Sequence, residues 1–126
     1  MLKQENIFSS FSVDNLEQAK KFYSTVLGLE VKENSMGFIE LVIPGSNNVL
    51  IYPKEDHRPA DFTVLNFPVN NIDEAVDHLT EKGIRFEQYT GSIQTDPKGI
   101  SRADEMGPDI AWFTDPAGNI LSVLAI

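Results

Sequence analysis

The chain repeats itself. In Val13-Asp14-Asn15-Leu16-Glu17-Gln18-Ala19-Lys20, the residues Asn15, Leu16 and Ala19 return as Asn71, Ile72 and Ala75 in the stretch Val69 to Val76, all at one constant offset. Gly28-Leu29-Glu30-Val31 returns as Gly83-Ile84-Arg85-Phe86 at an offset one residue shorter, and Asn48-Val49-Leu50 falls against Asn119-Ile120-Leu121. A repeat covering about half the chain dictates that both halves build the same unit. With 126 residues there is room for one real core but not for two independent ones. The expectation is a single domain over 1–126, made of modules at about 4–54 and 60–126.

Local patterning gives the unit its elements. Ile7 to Val13 mixes β-branched, aromatic and hydroxyl side chains and reads as a strand. Asp14 or Asn15 then caps a helix whose apolar stripe is Leu16, Ala19, Tyr23 and Val26, and Gly28 stands where a left-handed C-cap is needed. Short strands follow at Leu29–Glu33, Gly37–Ile43 and Asn48–Pro53, which makes a βαβββ unit. The second copy reads as a strand Asp61–Val69, a helix from about Asn71 to Lys82, a strand Ile84–Gln88, and a hairpin of Asp109–Thr114 with Asn119–Ala125. The hairpin turns at Asp115-Pro116-Ala117-Gly118. The fold class read from these elements is α+β, two repeated βαβββ modules. One interval breaks the symmetry: Thr90 to Pro108 takes nearly twenty residues where the first module needs a few. It reads either as a flap over a pocket or as an insertion with no task.

Composition narrows the functions. No apolar run is long enough to span a membrane, and Met1 to Asn6 is too polar for a signal peptide. The absence of cysteine excludes disulfides, thiolate metal sites and a thiol nucleophile, and fits a cytoplasmic location. A net charge of −9 argues against nucleic acid and leaves a neutral or cationic ligand as the expected partner.

The repeated unit resembles the vicinal oxygen chelate superfamily, which includes glyoxalase I, extradiol dioxygenases and bleomycin-resistance proteins. The resemblance is carried by Val13 to Tyr23, Leu27-Gly28-Leu29, Val69 to Ala75, and Trp112-Phe113-Thr114-Asp115-Pro116-Ala117-Gly118-Asn119. It implies that the two modules form a curved mixed sheet around a shared cavity, with the helices packed outside, and many proteins of the family pair two chains, so a homodimer is expected. In the family's metal-dependent members, the first and last strands of each module hold one divalent ion. Counted back from the helix motifs, the first-strand positions here are Phe8 and Val64, and the register of Asn48 against Asn119 puts the last-strand positions at Ile51 and Ser122. Divalent metals want imidazole, carboxylate or thiolate, and a slip of one residue in either direction supplies none. The expectation is no metal and no cofactor. A metal-dependent glyoxalase-like lyase or dioxygenase, and a non-catalytic protein-interaction module, stand as the alternatives, and the residues leave open whether any reaction is catalysed.

Period-two alternation then gives the lining of a small-molecule site. Phe8 inward brings Ser10 and Ser12 inward; Val64 inward brings Asn66; Ile51, Ser122 and Trp112 complete the set, with Phe11 on the opposite face. The serines read equally as packing residues, and Trp112 as stacking wall or core. Glu40, alone among apolar neighbours in Gly37 to Ile43, either faces the pocket or points to water on the other side. His57 sits in the charged linker Glu55-Asp56-His57-Arg58 and reads as part of a solvated turn, His78 as structural. No serine has an evident histidine partner, so a nucleophilic triad is not expected. Arg102, Asp104 and Glu105 in the long interval are candidates for charge at the pocket mouth.

Overall fold

The computed structural model describes residues 1–104 and 106–126. The chain divides into two compact units, Met1–Pro59 and Ala60–Ile126. The first unit runs β1 (Ser10–Val13), α1 (Leu16–Lys21), β2 (Val31–Glu33), β3 (Ile39–Leu41) and β4 (Val49–Pro53). The second runs β5 (Thr63–Val69), α2 (Ile72–Glu81), β6 (Ile100–Ser101), β7 (Asp109–Thr114) and β8 (Ile120–Ala125). Each builds a four-stranded mixed sheet, in the orders β1-β4-β3-β2 and β5-β8-β7-β6. The outer strand β1 or β5 runs parallel to β4 or β8, and the other neighbours are antiparallel. The duplication seen in the sequence is thus a duplication of topology.

Both helices begin at the repeated asparagine. The carboxamide oxygen of Asn15 accepts from the Gln18 amide at 2.9 Å, and that of Asn71 from the Glu74 amide at 3.0 Å. Each oxygen satisfies an amide that a helix start would leave orphaned. The first helix widens into a π turn over Phe22–Val26 before Gly28, whose φ of +71° reverses the chain. The second closes with the Ile84 amide on the Leu79 carbonyl and the Gly83 amide on that of Thr80, a Schellman arrangement.

One face of each sheet is sealed by its helix. In the first unit Phe11, Val13, Ile39, Leu41 and Ile51 form that layer with Ala19, Phe22 and Tyr23 from the helical segment. The Phe11 and Tyr23 rings lie 6.1 Å apart. In the second unit Ala111, Phe113, Leu121 and Val123 pack with Ile72 and Val76 of α2, and Phe86 meets Phe113 edge-on at 5.5 Å.

The long interval departs from the sequence reading. Residues Ile84–Gln88 do not form a strand ladder, although the Glu87 amide donates to the Trp112 carbonyl at 2.8 Å. The place beside β7 is taken by β6, from within the interval: Ile100 faces Ala111 and is fully buried. Asp96 shapes the approach by accepting from the amides of Lys98 and Ile100, both at 2.9 Å. Lys98 and Arg102 then bind the carboxylates of α2. Lys98 reaches Asp73 at 2.9 Å and Asp77 at 2.8 Å, and Arg102 grips Asp73 through two nitrogens at 2.9 and 3.1 Å. These hydrogen bonds, Arg102's first, hold the Asp73 carboxyl well below the usual carboxylate range. Arg102 is therefore committed to the helix side rather than to a pocket mouth. Asp104 is exposed, and Glu105 lies outside the described residues.

Candidate functional site

With one face of each sheet closed by its helix, most of the candidate site residues stand on the other, open face. Strand pairing shows which residues stand there. In the first unit Ser10 pairs with Leu50, Leu50 with Glu40, and Glu40 with Lys32, a single row on the side opposite Phe11 and Ile51. Ser12 pairs with Tyr52, whose ring lies 6.5 Å from that of Phe38. Phe8 precedes the strand and is 59% exposed.

Phe8, Glu40 and Leu50 border one hollow of about 430 Å³, together with Met36, Asn34 and Asn48. Asn48 donates to Glu40 Oε1 at 3.0 Å. That bond, with help from Asn34 and Lys32 against the cost of burial, keeps the Glu40 carboxyl below its ordinary value and hence ionised near neutrality. The hollow combines apolar carbon with one fixed negative charge and several carboxamides.

Ile51 requires a correction. It is fully buried in the helix-facing layer, in register with Phe11 and Ile39. The sequence register rested on Asn48 against Asn119, but the structural mate of Asn119 is Asn47, in step with Pro44 and Pro116. Under that register the mate of Ser122 is Leu50 and that of Ile51 is Val123, itself buried. One residue of slip moves a side chain to the other face.

The second unit brings three of the sequence candidates together. Asn66 pairs with Ser122 and Ser122 with Trp112, a row on the open face. The Ser122 hydroxyl, fully buried between them, donates to Asn66 Oδ1 at 2.6 Å. Trp112 meets Tyr89 edge-on at 5.5 Å, and burial, helped by the Glu87 charge, pushes the Tyr89 phenol up. Tyr89 in turn borders a hollow of about 380 Å³ with Thr90 and Ile93 from the start of the long interval. Val64 sits at a register irregularity between Thr63 and Leu65 and has no partner in the β8 ladder. The bulge breaks the count of two on which its assignment depends.

A second correction concerns His57. It is half-buried, and its Nδ1 lies 2.7 Å from the Ser12 hydroxyl, so a serine does have a histidine partner. The bond spans 45 residues. The turn that carries His57 is tied to β1 by the Lys54 amide on the Val13 carbonyl and closed by the His57 amide on the Lys54 carbonyl. Nothing local in Glu55-Asp56-His57-Arg58 signals this; it follows from the parallel pairing of β1 with β4. His78 lies on α2 and is exposed.

The positions that the resemblance assigns to a metal carry Phe8, Leu50 in place of Ile51, Val64 and Ser122. Their one donor, the Ser122 hydroxyl, is engaged by Asn66. This set does not fit a divalent ion. Among the described residues, no group of three or more His, Asp or Glu is placed to hold one. No helix of the described residues is long and apolar enough to cross a membrane.

Comparison with known proteins agrees with the architecture. A family model described as the Glyoxalase/Bleomycin resistance protein/Dioxygenase superfamily matches residues 8–123. No curated protein sequence matches the chain. Among solved structures, a superfamily member from Sphaerobacter thermophilus is 26% identical, with a TM-score of 0.68 and 96% of each chain covered. The fosfomycin resistance protein FosX of Listeria monocytogenes reaches a TM-score of 0.73 at 12% identity, over 100% of this chain and 95% of its own. TnmS3, an antibiotic-binding protein from a Streptomyces species, reaches 0.66 at 18% identity, over 99% and 98%.

Proposed function

The chain belongs to the Glyoxalase/Bleomycin resistance protein/Dioxygenase superfamily, and on that premise we propose that it binds a small, partly apolar organic molecule on the open faces of its sheets without using a metal ion. The observation that carries this reading is the lining of the 430 Å³ hollow: Phe8, Met36 and Leu50 beside the ionised Glu40 and its carboxamides. Small-molecule sites combine apolar wall with a few placed polar groups in this way. The charge and the acidic chain favour neutral or cationic ligands over anions. The donor-poor metal positions support independence from metal, and the absence of cysteine supports action in the cytoplasm. The proposed unit is a homodimer, which light scattering at micromolar concentration tests; a monomer there contradicts it.

The binding test is a thermal-shift screen of the chelator-treated protein against small organic compounds. Antibiotics belong in that panel because an antibiotic-binding protein and a fosfomycin resistance protein have this fold. A ligand at a hundred times its dissociation constant adds about 2.7 kcal/mol, well within detection. A screen without hits, or hits that vanish when a chelator is present, contradicts the reading.

A further inference from the structure

The two open faces differ in chemistry, and the second is more specific. At the places where the first unit has Ser10, Leu50 and Glu40, the second has Asn66, Ser122 and Trp112. We infer that the open face of the second sheet presents a neutral donor pair beside an indole, which takes a flat ring bearing a neutral acceptor oxygen such as a ketone, lactam or quinone carbonyl. This rests on the small-molecule reading above and names the class of ligand.

The orientation of the Asn66 carboxamide sets the chemistry of this face. Ser122 is fully buried and has a single hydroxyl proton, which it gives to Asn66 Oδ1 at 2.6 Å. The carbonyl end is thereby turned inward along the row. Asn66 is exposed, so what it presents outward is its NH2, a pair of donors with no acceptor. Trp112 closes the row from the other side. Its ring is half-buried and propped edge-on by Tyr89, so little rotamer freedom remains to be lost on stacking. The flanking rows of the same face are Ile110, Leu124 and Pro68 on one side and Thr114, Ile120 and Thr63 on the other. None of them is charged; among the described residues, the one charged neighbour in the row itself is Glu87, whose amide donates to the Trp112 carbonyl, and its charge is negative. A donor pair without a positive charge, in a chain of net charge −9, suits a neutral oxygen and disfavours a carboxylate.

The test uses a matched pair of probes, 1-indanone and indane, which differ in the acceptor oxygen. Asn66→Asp preserves the acceptor for Ser122, and with it the local fold, but replaces both outward donors with an oxygen. Binding is followed through the emission of Trp112, the chain's one tryptophan, and through the Asn66 side-chain NH2 signals by NMR. The wild type should bind 1-indanone more tightly than indane. Asn66→Asp should weaken 1-indanone about five- to tenfold, the range expected for losing one hydrogen bond to a neutral acceptor, and leave indane unchanged. Asn66→Ala should do the same, and Trp112→Phe should weaken both probes alike. If the two probes bind equally, or the Asp and Ala variants keep the wild-type ratio, the donor assignment is wrong while the small-molecule reading stands. If neither probe perturbs Trp112, the inference is overturned, and the compound screen decides the broader reading separately.

Discussion

Truncating Ile51 and Leu50 to alanine, one at a time, separates the two faces of β4. Ile51 is 0% exposed and packs in the layer against the helix, whereas Leu50 is half-buried on the open face. Ile51→Ala removes three carbons from a closed environment, each contributing about 0.8 kcal/mol of transfer free energy. The cavity left behind raises the total to about 3–4 kcal/mol. Leu50→Ala removes a similar number of carbons, but from a site that water already reaches and refills, so its cost is about 1 kcal/mol. For a chain of this length, 1 kcal/mol corresponds to about 4 °C in Tm. Calorimetry should therefore show a loss of about 12–16 °C for Ile51→Ala and about 4 °C for Leu50→Ala. Ligand binding should respond in the opposite order, with Leu50→Ala the more damaging. If Leu50→Ala destabilises more than Ile51→Ala, the strand phase assigned here, and every open-face residue deduced from it in the first unit, is refuted.

Gly99 has a φ of +90°, and a Cβ there would stand 2.6 Å from Phe86 Cβ. Gly99→Ala should thus cost about 3 kcal/mol through backbone strain and overlap combined, and an unchanged Tm would contradict it. The Glu40 carboxyl is held below its ordinary value of 4.5, chiefly by Asn48. A carboxyl depressed by folding contributes stability that is in place above its unfolded value and lost as pH falls through the folded one. The wild-type Tm should therefore fall more steeply below about pH 4.5 than that of Glu40→Gln; parallel curves would show that the bond to Asn48 is unimportant. The Ser12–His57 bond should appear as a coupling of about 1 kcal/mol in a double-mutant cycle with Ser12→Ala and His57→Ala. Additive effects would mean that the contact contributes nothing.

The duplication and the two asparagine caps were legible because they are local: a side chain capping an amide three residues on leaves its mark in a short stretch of sequence. The face taken by the first strand was legible too, since Phe11 and Val13 alternate with Ser10 and Ser12 as a half-buried strand requires. What failed depended on distance. The β4 assignment failed because a hairpin register was read from one asparagine match, and two neighbouring asparagines, Asn47 and Asn48, offered matches one residue apart. The Pro44–Pro116 match fixed the correct register and was already visible. Ile84 to Gln88 has strand composition and touches β7 through the Glu87 amide, but the strand that ladders on β7 is Ile100–Ser101, which Asp96, Gly99 and the ion pairs to α2 position. No window of sequence contains those partners together. The Ser12–His57 and Ser122–Asn66 bonds are hidden for the same reason, each joining residues brought near by parallel strand pairing.

The most direct test of metal-independent binding on the open faces is to titrate a screening hit into protein held in excess chelator, recording Trp112 emission together with the backbone amide NMR signals. The account predicts saturable binding whose signal changes centre on Trp112, Ser122 and Asn66, or on Phe8, Glu40 and Leu50, with an affinity that added zinc or nickel leaves unchanged. Saturable binding that appears only when the metal is restored, or whose signal changes centre on the helices, would contradict it.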